Sequence, residues 1–178
     1  NLDISGNNIS DISKLKNNTK MKTLNISNNN ISDMSVVQKF SDTLNTLNAS
    51  KNKIENISII STLSLTELNL ASNSIENISV LNTQTMLKTL DVSGFNTAKV
   101  TNMTNMFYEC SNLEELDVKK FNTENVESFL CMFSGCKKVK FLDVSNFNTS
   151  NVTDMADMFA DCQSVTNLNL GHFNTAKV

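Results

Sequence analysis

Four cysteines, one histidine and a column of aspartates are the groups in this 178-residue chain whose types and spacing could do chemistry. Cys110, Cys136 and Cys162 recur at intervals of 26 residues among apolar neighbours, while Cys131 takes the place that Asn105 and Asp157 hold elsewhere. No C-x-x-C pair exists, so the spacing does not build a zinc site. Buried in one column, such thiols behave as small hydrophobes. A disulfide between adjacent members is within reach, because stacked coils bring Cα atoms to ~5 Å. It would join side chains that point in parallel, which is poor geometry, and Cys131 is the more exposed thiol. His172 stands where Gly94, Lys120 and Asn146 stand in sister segments. A base at that place would need Cys162 or a serine beside it; otherwise it is an exposed turn residue. Neither a glycine-rich phosphate loop nor H-E-x-x-H nor a cofactor signature occurs. No catalytic, metal-ligating or cofactor-binding residue is therefore assigned, and the chain is expected to be no enzyme and to use no cofactor.

The elements that position these groups follow from internal repetition. LDIS, LNIS, LNAS, LNLA, LDVS, LDVK, LDVS and LNLG begin at Leu2, Leu24, Leu47, Leu68, Leu90, Leu116, Leu142 and Leu168. The intervals are 21 to 23 residues up to Leu90 and 26 beyond it, so two repeat classes share the chain. In the short class, L-x-x-L-x-L-x-x-N-x-I-x-x-I runs through Leu65, Leu68, Leu70, Asn73, Ile75 and Ile78. Its L-x-L alternation has period two and reads as a short strand with both apolar side chains on one face. Asn7, Asn29, Asn52 and Asn73 fall where the chain must turn, and their amides can bond the backbone of adjacent coils.

The long class reads L-x-V-x-x-F-N-T-x-x-V-x-x-M-x-x-M-F-x-x-C-x-x-L, starting at Leu90. Phe95, Phe121, Phe147 and Phe173 predict one aromatic spine, and Phe107, Phe133 and Phe159 a second. Intervals of 3, 3, 4 and 3 from Val100 through Met103, Met106 and Cys110 to Leu113 predict a short helix. Because one repeat cannot bury its own apolar face, the repeats must stack. Eight parallel strands at ~4.8 Å spacing result.

The short repeats resemble the leucine-rich repeats of internalin-type bacterial surface proteins, as in NNISDIS at Asn7–Ser13, without the proline those repeats usually carry. The long repeats closely resemble the BspA-type leucine-rich repeat of bacterial and some protist surface proteins. The resemblance implies an α/β solenoid, curved, with a parallel sheet on the concave side and short helices or 3₁₀ turns on the convex side. We expect residues 1–178 to form a single solenoid, with short repeats over 1–89 and 26-residue repeats over 90–178, cut from a longer array.

Charge narrows the partners. Lys+Arg 15 against Asp+Glu 18 gives a net charge of −3, without the basic stripe that nucleic acid requires. No apolar run approaches the ~20 residues of a membrane span, so direct insertion is not expected. Lys119, Lys120, Lys137, Lys138 and Lys140 alternate along the chain with Glu114, Glu115, Glu124 and Glu127, which predicts a charge ladder across coils.

What remains is the outward face of the sheet. The residue after each strand leucine is Asp3, Asn25, Asn48, Asn69, Asp91, Asp117, Asp143 and Asn169, a polar file that turns acidic toward the C-terminal half. Aspartates one strand apart repel, so a divalent cation, Lys119 or a raised pKa must relieve Asp91, Asp117 and Asp143, unless they form a hydrated ladder. Phe141 places an aromatic ring where sister repeats have Glu115 or Thr89. It is either a recognition hot spot or packing against the stems of Lys140 and Glu115. The candidate ligand-binding set is therefore Asp91, Asp117, Lys119, Phe141 and Asp143. The family resemblance implies a protein partner, a host receptor or extracellular-matrix protein, met at the cell surface or outside the cell by an adhesin. An intracellular scaffold or regulatory subunit, and a passive surface spacer, are the other readings.

Overall fold

An apolar–polar–apolar triplet sends its first and third side chains to one face, and each short repeat contains one such triplet. In the computed structural model, which describes residues 1–178, each strand ends on the polar middle residue of its triplet. β1 (Leu2–Asp3), β2 (Thr23–Asn25), β3 (Thr46–Asn48), β4 (Glu67–Asn69) and β5 (Thr89–Asp91) make one parallel sheet in sequence order. The register sets leucine on leucine, Leu2 on Leu24, then Leu47, Leu68 and Leu90. Return arms run through 3₁₀ turns at Ser13–Asn17, Ser35–Phe40, Ser58–Thr62 and Ser79–Thr83, each packed on the next. A carboxylate or amide oxygen starts each turn by accepting the amide two residues on, as Asp33 does from Ser35 at 2.7 Å and Asn56 from Ser58 at 2.8 Å.

The asparagine column does what its spacing predicts. Asn52 donates to the Ile26 carbonyl of the preceding coil at 2.9 Å and accepts the Ile31 amide at 3.0 Å. Asn29 repeats this with Ile4 and Ile9, and Asn73 with Ala49 and Ile54. Each amide thus satisfies a donor and an acceptor that the turn would otherwise bury unpaired. One residue earlier the backbone is left-handed at Gly6, Asn28, Lys51, Ser72 and Gly94. At Gly94 (φ 86°) a Cβ would also lie 3.1 Å from the Ser72 amide nitrogen, so a side chain there would crowd the preceding coil as well as strain the backbone.

Beyond Leu90 two expectations are corrected. The sheet has five strands rather than eight. The amide two residues after the strand leucine donates across coils at Ile4, Ile26, Ala49 and Leu70, with lengths of 2.8 to 3.1 Å. The equivalent amides of Val92, Val118 and Val144 have no backbone partner. The inter-coil ladder has moved instead to the segment expected to be helical. There Met103, Asn105, Phe107 and Glu109 donate to Ser128, Leu130, Met132 and Ser134, and the next coil continues the series from Phe129 to Gly135. Between these, Met106, Tyr108 and Cys110 donate three residues back.

Left-handed residues at Asn105, Glu109, Cys131, Gly135, Asp157 and Asp161 interrupt any helix and turn every second amide toward the neighbouring coil. The 3-3-4-3 spacing still buries Met103, Met106, Cys110 and Leu113, so the periodicity marks the inner face correctly while the hydrogen bonding differs.

The aromatic core is also rearranged. Phe107, Phe133 and Phe159 stack as expected, with centroids 5.7 Å apart and rings 11° from parallel. Phe95, Phe121 and Phe147 are buried but do not stack on one another. Phe121 leans on Phe107 at 6.4 Å, and Phe147 packs between Phe129 at 5.3 Å and Phe133 at 6.4 Å. The two spines interlock because rings offset between coils fill space better than rings held in strict file. All apolar columns, short and long, join one buried cluster of 44 residues.

Threonines take over the latch role in the long repeats. Thr97 Oγ1 accepts the Asn122 amide at 2.7 Å and donates to the Asn122 carbonyl at 2.9 Å. Thr123 makes the same pair with Asn148, and Thr149 with Asn174. All three threonines are buried. F-N-T is thus one device: the phenylalanine fills the core, the asparagine starts the turn and the threonine ties it to the coil below.

Candidate functional site

The polar file along the sheet face has a local cause. Asp3, Asn25, Asn48, Asn69, Asp91, Asp117, Asp143 and Asn169 each accept the backbone amide two residues later, at 2.9 to 3.1 Å. Asp and Asn place a strong acceptor at that reach, which accounts for the alternation between these two residues. Sequence reasoning missed this bond. Its signal is [DN]-x-[STAGK] after the strand leucine, recurring in all eight segments.

Four of the five expected site residues come together. Asp117, Lys119, Phe141 and Asp143 line one groove of about 420 Å³, with Glu114, Glu115 and Lys140 completing its polar rim. Lys119 is the hub. Its amide is held by Asp117 at 3.0 Å, its ammonium lies 3.4 Å from the Asp143 carboxylate, and the same ammonium sits 5.5 Å from the centre of the Phe141 ring. Phe141 is 61% exposed, the most exposed large hydrophobic side chain of the chain. Its ring thus has the Lys119 ammonium as a neighbour, and Lys140 and Glu115 line the same groove. Asp91 lies apart, in a second groove of about 820 Å³ that shares Glu114, Glu115 and Asp117 with the first.

The electrostatics of the aspartate file are settled at Asp143 by hydrogen bonding. Ser145, through its hydroxyl and then its amide, holds the Asp143 carboxyl below its ordinary value, and Lys119 adds to this. Of the three forms of relief, the lysine is the one present at Asp143, and its carboxyl is lowered where the sequence allowed a rise. No group of three or more His, Cys, Asp or Glu side chains converges as a metal-ion holder. The expected ladder of lysines against glutamates does not form. Lys119 pairs with Asp143, Lys99 with Glu76, and Lys138 reaches Asn112 instead.

All four cysteines are free. Cys136 and Cys162 point their thiols at the Phe107 and Phe133 carbonyls, both at 3.2 Å. Burial pushes the Cys110 thiol up to about 12 and raises Cys136 and Cys162 as well. His172 touches the Val144 carbonyl at 3.1 Å and stands edge-on to Phe173.

Stacked coils, a parallel inner sheet and the asparagine latch define a leucine-rich-repeat solenoid. Leucine-rich-repeat family models match residues 1–39 and 63–80. A further model, described as "Mycoplasma protein of unknown function, DUF285", matches residues 74–178. That match covers more than half of the chain, and the chain belongs to this family. No curated protein matches it.

Among solved structures it is similar to an internalin, inlF, of Listeria monocytogenes, at 30% identity and a TM-score of 0.54 over 63% of this chain and 33% of that one. A leucine-rich-repeat protein of Leptospira interrogans shares the fold at 16% identity, TM-score 0.64, over 92% of this chain and 40% of the other. Internalin C2 of Listeria monocytogenes shares it at 20% identity, TM-score 0.50, over 85% and 77% of the two chains. The chain thus spans a third of the length of the first internalin it resembles. Both resemblances carried by the repeats, internalin-like and BspA-like, are borne out. No helix is long and apolar enough to cross a membrane.

Proposed function

We propose that residues 1–178 act as one solenoid unit and form a non-enzymatic protein-binding module of a bacterial cell-surface adhesin, which meets host or neighbouring-cell proteins through its concave face. The observation that carries this reading is Phe141, an exposed ring on an otherwise polar face, held over a groove by the Lys119 ammonium. Aromatic side chains so placed dominate binding energy when a partner covers them. Asp117 and Asp143 fix Lys119, so the ring is offered in one place, and Asp91 extends the surface along the file. The likeness to internalins at 30% identity supports the surface setting, as do the BspA-type repeats.

The test is capture of purified extracellular-matrix proteins and receptor ectodomains by the immobilised chain. Phe141→Ser and a combined Asp91→Asn/Asp143→Asn variant should lose capture while keeping the native circular dichroism spectrum. Capture that is indifferent to all three substitutions puts the contact elsewhere on the chain, and absence of any capture supports a passive spacer instead.

A further inference from the structure

The charge of the chain is not spread evenly. The groove lined by Phe141 and the one that adjoins it take Glu67, Asp91, Glu114, Glu115, Asp117 and Asp143. Against these acids stand Lys88, Lys119 and Lys140. The two grooves thus hold 6 of the 18 acids and 3 of the 15 lysines, which leaves 12 of each elsewhere. The whole formal charge of −3 therefore resides on this one surface. Lys119 is already paired with Asp143, and none of the other five carboxylates is ion-paired. They belong to successive coils, those of Leu68, Leu90 and Leu116, and Asp143 adds the coil of Leu142. A single small cation meets one or two coils; a run of cationic side chains can meet all four. The exposed Phe141 ring supplies an apolar anchor at the end of this acidic track, in the place that Glu115 holds one repeat earlier.

We infer that the occupant of this surface is a basic segment of the partner protein, whose lysine or arginine side chains meet the unpaired carboxylates while an apolar side chain covers Phe141. The inference rests on the concave-face reading above and names the partner chemistry of that same site. Exposed carboxylates steer the encounter and repel acidic competitors, so they set specificity and association rate. The ring, once covered, supplies most of the affinity of the seated complex.

The experiment measures fluorescence anisotropy of a labelled peptide of arginines interrupted by leucines with the whole chain. The comparison peptide replaces every arginine with glutamate. The arginine peptide should bind, more weakly as salt is added, and the glutamate peptide should not. The Glu114→Gln/Glu115→Gln variant should weaken binding about fivefold and flatten its salt dependence. Glu124→Gln/Glu127→Gln removes the same charge outside both grooves and should change binding by less than about twofold. Phe141→Ala should cost about tenfold.

Equal binding of the glutamate peptide would overturn the charge assignment. Equal loss from the two glutamate pairs would mean that overall charge draws the peptide, and would overturn the site. Self-association of the chain that Glu114→Gln/Glu115→Gln abolishes would make a second copy the occupant and overturn the partner. Phe141-dependent capture of a matrix protein with no preference for the arginine peptide would overturn this inference alone and leave the concave-face reading standing. Loss of Phe141 dependence in the capture assay strikes that reading itself.

Discussion

At the fifth position after the strand leucine, the short repeats carry Asn29, Asn52 and Asn73, and the long repeats carry Phe95, Phe121 and Phe147. The asparagines bond to the coil before them and hold the strands in a sheet. The phenylalanines fill the interior and make no such bond; the threonine two residues on ties the coils instead, and the backbone ladder moves to 103–109 and its successors. The same right to stack is thus secured once by side-chain amides beside a sheet and once by hydroxyls and turns around an aromatic core. Only the second arrangement leaves strand-position amides without a backbone partner, and the exposed aromatic belongs to the same repeats.

Truncation of the core should separate the halves most strongly. Phe121→Ala opens a cavity among Phe107 and its neighbours and should cost about 3–5 kcal/mol in urea unfolding. Asn52→Leu keeps volume but strands the Ile26 carbonyl and the Ile31 amide, and should cost about 2–3 kcal/mol. Thr123→Val, its counterpart in the long repeats, strands both backbone groups of Asn148 and should cost about 1–2 kcal/mol. If Thr123→Val proves neutral while Asn52→Leu does not, the threonines are not latches and the proposed equivalence breaks.

The thiols sharpen the contrast, since all four lie in the long repeats. Cys110 ionises near 9.0 when unfolded and only at about 12 when folded, so at higher pH the unfolded chain binds fewer protons. Stability should therefore be level below pH 9 and fall by about 1.4 kcal/mol per pH unit for each fully buried thiol above it. Cys110→Val should remove its share of that slope. The smallest effect has the opposite sign. Cys131 sits at φ 53° where sister repeats use Asn105 and Asp157, and Cys131→Asn should stabilise the chain by about 0.5–1 kcal/mol.

Repeat boundaries, strand register, the asparagine column and the buried faces were all legible in the sequence, because each depends on where apolar and amide side chains recur. That Asp117, Lys119, Phe141 and Asp143 share one groove was legible for the same reason: Phe141 breaks its file, and Lys119 falls between two aspartates. What could not be read was which peptide groups pair. Val92, Val118 and Val144 look like Ile26 and Leu70 as letters, and the difference arises from a left-handed turn at Asn105 or Cys131 that sets the coil spacing elsewhere. The Asx bonds of the aspartate file were hidden by a competing reading, since three acids in register suggest a cation before they suggest turn-starting residues.

The transfer of the backbone ladder from strand to turn is the claim on which the rest depends, and residue-resolved hydrogen exchange tests it directly. The amides of Ile26, Ala49, Leu70, Phe107 and Phe133 should be strongly protected, and those of Val118 and Val144 should exchange far faster. Protection of Val118 and Val144 equal to that of Ala49 would mean that the sheet continues through the long repeats, and the account of a transferred ladder would be wrong.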